Sequence, residues 1–596
     1  MTGERVPLAI EGLTVYHHAV DAPVIENLAL SVKPGEIRGL VGESGSGKSI
    51  TCMAALGLLN DDWQISGQIA LAGNRTLQAV AERRGFDAAM IFQDATSSLN
   101  PIQTIGQQLT ETVARLRRLS RATARRVALD LLKRVDLPEP EARYDYYPFQ
   151  LSGGQNQRVM IALALAGQPR ILFADEPTTA LDVTIQSQIL ELLKSIRDET
   201  GMGIVFVTHD LGVIEDICDT VSVMYSGRIV ESGPVTDIID RPAHPYTSGL
   251  ISSMPTLAGQ IPAGIAGQVP APGQRPTGCA FAPRCSEARP DCRTEPPRLV
   301  AFSAGRDVAC LNPLGGNHAA EQSRLDHRHC PNKSTRQEPI AEIKNAACDY
   351  RVGGGGVFRA VSNVSFDIND RESVAVIGES GSGKSTIGKL LLGLEAPAEG
   401  EILFSREPVP LLGTVLHRAY ARFVQLVPQN PYLSLDPRAT IGNQIREPLI
   451  IHRIGTQAEQ LHKRDELLEA VGLGPEFADR YPHEISGGQC QRAVIARALC
   501  LQPQMLICDE ATASLDVSVQ ARIIALLREL QERFQLSLVF ITHDLRIIRS
   551  LCQKVAVMQK GELVEFGTAE QVLSTPSHPY TRALLAAVPE KKKELA

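Results

Sequence analysis

Short apolar runs alternate with longer stretches of helical periodicity twice along this chain, once up to about residue 255 and again from about residue 340. Ile37–Val41 (IRGLV), the apolar start of ILFADE ending at Glu176, and GIVFVT before His209 predict short buried strands. Val374–Ile377 (VAVI), the start of MLICDE ending at Glu510, and SLVFIT before His543 predict the same strands again. KSITCMAALGLL and QNQRVMIALALA read as helices in the first stretch, KSTIGKLLLGL and QCQRAVIARALC in the second. Strands without polar alternation, each followed by a helix, predict an α/β fold: two tandem units, each with a mainly parallel sheet core covered by helices.

The two stretches are copies. GESGSGKS runs from Gly42 to Ser49 and again from Gly378 to Ser385, so the second copy starts at 42 + 336. Gln93 recurs as Gln429, also 336 later, while Ser152, Glu176 and His209 recur as Ser486, Glu510 and His543, each 334 later. One unit has been duplicated with its motifs in order. The predicted organisation is residues 1–255 for the first unit, 256–314 for a Cys- and Pro-rich insert, 315–339 for a polar linker and 340–596 for the second unit.

Composition narrows what this architecture serves. The chain has 596 residues, 43% of them hydrophobic and 21% charged, within the globular range. A net charge of -7 argues against a broadly basic nucleic-acid surface. No apolar run is long enough to span a bilayer, and MTGERVPLAIEG lacks the basic-then-apolar order of a signal peptide. The expectation is a protein kept in the cytoplasm, reaching a membrane through partners.

Each glycine-rich segment fits G-x-x-x-x-G-K-[ST] and joins a predicted strand to a helix N-terminus, the setting in which backbone N–H groups wrap phosphate oxygens. The first comprises Gly42, Glu43, Ser44, Gly45, Ser46, Gly47, Lys48 and Ser49 and leads into Ile50. The second comprises Gly378, Glu379, Ser380, Gly381, Ser382, Gly383, Lys384 and Ser385 and leads into Thr386. Lys48 and Lys384 would reach the terminal phosphates, and Ser49 and Ser385 would bind Mg²⁺. A ligand-free turn explains one isolated copy but not two in the same context. At the ends of the acidic strands, Asp175 and Asp509 would hold Mg²⁺, and Glu176 and Glu510 would act on the attacking water as general bases.

The segments LSGGQ and ISGGQ form a further backbone-donor nest at a helix start in each unit: Ser152, Gly153, Gly154 and Gln155, then Ser486, Gly487, Gly488 and Gln489. A unit that already has a phosphate loop gains from a second anion site if that site serves the other unit's nucleotide. Together these motifs resemble the ATP-binding subunits of ABC transporters, over almost the whole of both units.

The resemblance implies two units packed head to tail with two ATP molecules between them. Ser486 and Gly488 would complete the site at Lys48, and Ser152 and Gly154 the site at Lys384. It also implies that Gln93 and Gln429 sense Mg²⁺ and the γ-phosphate, that His209 and His543 contact that phosphate, and that Asp182 and Asp516 lie in loops crossing between the units. Tyr16 and Tyr350 would stack on adenine; a half-buried strand tyrosine is the alternative. Unit two has Ala511 for Pro177 and Ile485 for Leu151, neither a phosphate or metal ligand, so both sites are expected to hydrolyse ATP.

SSLNPIQTIGQQL and LSLDPRATIGNQI after the two glutamines, with HPYT at His244 and His578, resemble the dipeptide, oligopeptide and nickel importers. One HPYT copy alone would pass for a turn. The resemblance implies two membrane permeases gripped by helical subdomains near Gln93 and Gln429, an extracytoplasmic solute-binding protein, and a place at the cytoplasmic face of the bacterial cell membrane. A soluble tandem ATPase of translation or DNA repair is the rival class; against it, the linker lacks a long charged helical pattern. A non-hydrolysing nucleotide-binding regulator is disfavoured by Glu176 and Glu510.

Cys279, Cys285, Cys292 and Cys310 lie in the insert with spacing C-x5-C-x6-C-x17-C, which is neither zinc-ribbon nor common ferredoxin spacing. The likeness of GCAFAPRC to the tail of peptide-importer ATPases implies a [4Fe–4S] cluster on these four cysteines; zinc and free thiols are the alternatives. Cys330, in the polar linker, is expected to be a free thiol.

Overall fold

A computed structural model describes residues 6–71, 84–179, 181–257, 259, 264–315, 339–352, 356–513 and 515–588. The polar linker, Cys330 included, lies outside them except at its two ends.

Each unit is built on a buried parallel sheet. In unit one the strands Ala88–Ile91, Ile171–Asp175, Gly203–Thr208, Ile37–Val41 and Thr220–Tyr225 lie side by side in that order and parallel, with Arg228–Pro234 added antiparallel. Unit two repeats the order with Val424–Val427, Met505–Asp509, Ser537–Ile541, Ser373–Ile377 and Lys554–Gln559, closed by antiparallel Glu562–Thr568. The central strands are buried on both faces, which is why their sequences are continuously apolar. Phe173 and Phe206 in unit one and Phe540 in unit two are among the largest fully buried side chains.

A smaller antiparallel sheet packs beside each parallel one: Pro23–Val32, Leu8–His17 and Trp63–Leu71 in the first unit, and Gly356–Asn369, Pro339–Val352, Glu399–Phe404 and Glu407–Pro408 in the second. A layer of helices follows each glutamine: Ile105–Arg117, Arg121–Arg134 and Gly153–Leu165, matched by Ile441–Ile451, Gln457–Ala470 and Gly487–Leu499. The helices Val183–Thr200 and Val517–Phe534 are capped by Asp182 and Asp516, whose carboxylates accept the backbone N–H of Ile185 and Val519 at 2.9 and 3.0 Å.

The insert belongs to the first unit's body. Its hairpin, Val300–Ser303 and Arg306–Val308, extends the parallel sheet by pairing Asp307 with Ser232 and Val308 with Glu231. Phe281 is buried in the same apolar core as Phe206 and Tyr246. The units also touch: Val183 and Leu257 of the N-terminal half pack against the core of the second. Among the described residues no helix is long and apolar enough to cross a membrane.

Candidate functional site

The phosphate loops sit where the central strands Ile37–Val41 and Ser373–Ile377 end and the helices Lys48–Ala55 and Lys384–Leu391 begin. Gly47 and Gly383 cap those helices in left-handed backbone, at φ 104° and 99°. A Cβ on Gly42 would stand 2.1 Å from the Met224 carbonyl oxygen, so only glycine allows the loop to turn against the neighbouring strand.

The lysines fold back over their loops. Lys48 Nζ donates to the carbonyls of Gly42 and Glu43 at 2.8 and 3.1 Å, and Lys384 Nζ to those of Gly378 and Glu379 at 2.8 and 2.7 Å. Burial pushes both ammonium groups below the usual lysine value against the opposing pull of nearby carboxylates, Glu176 foremost for Lys48 and Glu510 for Lys384. Ser49 Oγ donates to Asp175 Oδ1 at 3.1 Å and Ser385 Oγ to Asp509 Oδ1 at 3.2 Å. One hydroxyl and one carboxylate, together with phosphate oxygens and water, form a donor set that suits Mg²⁺.

The next acids in sequence have a different environment. Glu176 and Glu510 are non-glycine residues in left-handed backbone, at φ 47° and 48°, as is common where a side chain is aimed for function. Gln93 Nε2 and Thr179 Oγ1 donate to Glu176 Oε2 at 3.0 and 2.9 Å, and His209 Nδ1 lies 3.3 Å from Oε1. Gln429 and His543 reach Glu510 at 2.6 and 3.4 Å. Burial raises the Glu176 carboxyl, but His209 and Lys48 outweigh it and bring it to about 2; Glu510 is lowered by the corresponding partners. Burial lowers His209, yet Glu176 raises it further. Gln93 and Gln429 therefore grip the glutamates rather than Ser49, Asp175, Ser385 or Asp509. The histidines share one cleft between the units, lined also by Thr178, Thr512, Asp210 and Arg546.

The remaining predicted residues fall into two groups. Asp182 does cross between units: its carboxylate accepts the N–H of Ser380, in the second loop, at 3.4 Å. Asp516 is close enough to Lys48 to raise its proton affinity. Ser152 and Ser486 instead cap their own helices, each with its backbone N–H bound to the following glutamine, Gln155 at 3.1 Å and Gln489 at 2.8 Å. Gly154 and Gly488 pack against Ile185 and Val519, just beyond the crossing loops. Among the described residues no hydrogen bond joins either signature serine to the opposite phosphate loop. Tyr16 is exposed on its strand; Tyr350 is half-buried, with the Lys389 ammonium 5.6 Å from its ring centre.

Two sets of contacts were not predicted from the sequence. The HPYT tyrosines hold the phosphate loops: Tyr246 Oη accepts the Glu43 N–H at 2.9 Å and Tyr580 Oη the Glu379 N–H at 3.0 Å. The histidine of each motif caps the helix that carries the tyrosine. Arg546 joins Asp544 of its own unit to Asp210 of the other, at 2.9 and 3.0 Å.

Burial lowers His244 to about 3. The folded chain thus refuses a proton that the unfolded chain accepts below about 6.5, and stability should fall as pH drops below that value, by about 1.4 kcal/mol per pH unit until about 3. In H244N, whose amide can still cap the helix, this part of the acid sensitivity should disappear. Urea unfolding of both proteins at neutral and mildly acidic pH would show it as a smaller acid loss in the variant.

The four-cysteine expectation is not supported. Burial pushes the Cys279 thiol up, and pushes Cys285 and Cys310 up to about 11, with Cys292 close enough to add to each. These four cysteines share one neighbourhood. All four are free, and among the described residues no group of three or more His, Cys, Asp and Glu is placed to hold a metal ion. Cys279, Cys285, Cys292 and Cys310 therefore give no ground for an iron–sulfur cluster or zinc; Cys279 and Cys285 pack instead against the first unit's apolar core.

Residues 25–179 and 361–513 match the ABC transporter family, and residues 230–292 and 564–596 match the oligopeptide/dipeptide transporter C-terminal region. The oligopeptide transport ATP-binding protein OppD of Mycobacterium tuberculosis is 41% identical over 98% of both chains. The glutathione import ATP-binding protein GsiA of Salmonella choleraesuis is 40% identical over 98% of this chain and 90% of its own. Among solved structures, an ATP-binding cassette dimer in a post-hydrolysis state bound to ADP and phosphate aligns with 39% of this chain and 99% of its own, at 29% identity and a TM-score of 0.36. With both cassettes, their catalytic strands and two copies of the peptide-transporter region in one sequence, the chain belongs to the ABC transporter family as a tandem ATP-hydrolysing protein of the oligopeptide/dipeptide branch.

Proposed function

We propose that this chain energises an importer of peptides or related small solutes, binding two ATP molecules between its units and hydrolysing them to open the pair. The observation that carries this is the HPYT tyrosine on each phosphate loop, which ties the peptide-transporter region to nucleotide chemistry. The names of the relatives, one for oligopeptide transport and one for glutathione import, agree with it and leave the solute open.

In this proposal Lys48 and Lys384, with the loop N–H groups from Gly42 to Ile50 and Gly378 to Thr386 other than those of Glu43 and Glu379, which the HPYT tyrosines hold, bind the phosphates. Ser49 with Asp175, and Ser385 with Asp509, would hold Mg²⁺, and Gln93 and Gln429 would turn to it from the glutamates they hold here. Bound there, Mg²⁺ supplies charge neutralisation of the phosphate oxygens. Glu176 and Glu510, kept ionised by His209 and His543, orient the attacking water and take its proton. The arriving phosphates are negative and raise the proton affinity of these carboxylates toward what a base needs. Ser486 and Gly488 complete the site at Lys48, Ser152 and Gly154 the site at Lys384, and Tyr16 and Tyr350 flank the adenines.

Residues 1–255 and 340–596 act as the two jaws and residues 256–314 as a fixture on the first. The chain would sit at the cytoplasmic face of the cell membrane through two permeases, with a solute-binding protein beyond them. Ile102 and Phe149, 82% and 73% exposed beside the helical layer, supply apolar contact area for that docking. Affinity purification from native membranes is expected to recover two permeases with the chain; recovery of ribosomes or DNA without permeases would sink the proposal.

A further inference from the structure

Glu43, the second residue of the first phosphate loop, is held at every polar group. Its N–H donates to Tyr246 Oη at 2.9 Å and its carbonyl accepts Lys48 Nζ at 3.1 Å. Its carboxylate receives both arms of the Arg284 guanidinium, at 2.6 and 2.9 Å, and the hydroxyl of Ser518 from the second unit. The pair is buried, with the Arg284 and Glu43 side chains 5% and 4% exposed.

Arg284 comes from the insert. It lies near the Tyr225 ring beside Phe281, and Phe281 contacts the rings of Tyr225, Tyr246 and His244. The insert's Ala266 carbonyl accepts from Arg284 Nε at 2.7 Å, and its Gly267 carbonyl accepts from Arg522 of the second unit at 2.8 Å. The insert thus touches the first loop and the facing helix Val517–Phe534 at once.

The second loop lacks this arrangement. Glu379 keeps the backbone bonds, to Tyr580 Oη and from Lys384 Nζ. Its side chain is only half-buried, and among the described residues no guanidinium pairs with it.

We propose that Arg284 is a positioning residue for ATP at the first site alone, acting through Glu43 on Lys48. The insert and the facing unit then clamp the Glu43 carboxylate of one loop, whereas the other loop meets the facing unit through the Ser380 N–H bond to Asp182 and, among the described residues, has no guanidinium on its Glu379 side chain, so the two sites bind ATP unequally. This rests on the roles proposed above for Lys48 and Lys384. A forked, buried, charge-assisted contact fixes a side chain more firmly than a single hydroxyl can. Without it the Glu43 carboxylate stays buried with one hydrogen bond, and the strain is relieved by moving the residue whose carbonyl holds Lys48.

The test uses the full-length chain labelled with a photoreactive azido-ATP, with peptide mapping to assign label to each unit. R284Q should raise the half-saturating concentration of the first unit about tenfold, while the second stays within about twofold. R284K, which cannot fork, should recover only part of the loss. E43Q/R284Q should be no worse than R284Q, because one residue acts through the other. Should R284Q fail to fold, E43Q puts the same question from the other side, and the first unit alone should weaken. Equal shifts in both units, no shift in the first, or additive losses in the double variant would overturn the proposal. A wild-type chain labelled in neither unit would instead remove the ATP-site roles on which it rests.

Discussion

Replacing Glu510 by glutamine is expected to lower ATP turnover by about a hundredfold or more while leaving ATP binding in place. Glutamine keeps the size of the side chain and can still meet Gln429 and His543, which now stand 2.6 and 3.4 Å from the carboxylate. What it loses is the negative charge that the site maintains against burial, and with it the acceptor proposed for the water's proton. Glu176, brought to about 2 by His209 and Lys48, occupies the equivalent place, so E176Q should behave alike. Each single variant should be nearly inactive rather than half active. The units contact each other at Ser380 with Asp182 and at Arg546 with Asp210, and under the proposed mechanism a nucleotide left unhydrolysed on one side would keep both from separating. Steady-state ATPase assays of the two variants, with nucleotide retention measured alongside, check this. A halved rate would mean independent sites; loss in one variant with none in the other would mean that only one site does chemistry.

The parts of this picture legible in the sequence are those whose chemistry is local. A strand, six loop residues and a helix are contiguous, so GESGSGKS declares its geometry, as do the acids that end ILFADE and MLICDE. The capping serines of LSGGQ and ISGGQ are local too. The contacts that tie these pieces together are not. Tyr246 meets Glu43 across 203 positions, and Arg284 meets it across 241. Nothing in HPYT or GCAFAPRC marks a hydrogen bond to a distant loop, although the regular return of HPYT near the end of each unit was a clue that a turn alone did not need. The insert's hairpin was hidden for another reason. Val300–Ser303 is exposed along its length at the sheet edge and shows no apolar alternation. The cluster expectation came from the likeness of GCAFAPRC to a family tail and not from the cysteine spacing; metal binding needs convergence in space, and among the described residues these thiols approach without forming a ligand set.

Removing Arg546 should weaken closure of the clamp more than it weakens either unit. The guanidinium bridges Asp544 at 2.9 Å and Asp210 at 3.0 Å, and the Arg546 and Asp210 side chains are 14% and 15% exposed. The duplication does not repeat it: 334 positions earlier than Arg546 stands Gly212, so one arginine serves the aspartates of both units. With alanine in its place, closing would bury the Asp210 carboxylate without a cation, and breaking a buried pair in this way costs about 3–5 kcal/mol. In the open form Asp210 can regain water while still capping its own helix through the Gly212 N–H at 2.8 Å, so the penalty falls on the closed state. The ATP concentration needed for half-closure, read by the distance between probes on the two units, should rise by about a hundredfold or more in R546A. R546K should fall between, since a compact, strongly hydrated ammonium lacks the planar, preorganised donor fork of the guanidinium. D210N should also weaken closure while keeping the cap. Because the bridge is shielded from solvent, added salt should mimic the loss only weakly. Closure unchanged in R546A would show that the bridge forms without contributing to the clamp. A melting temperature lowered in each unit separately would assign Arg546 to folding instead.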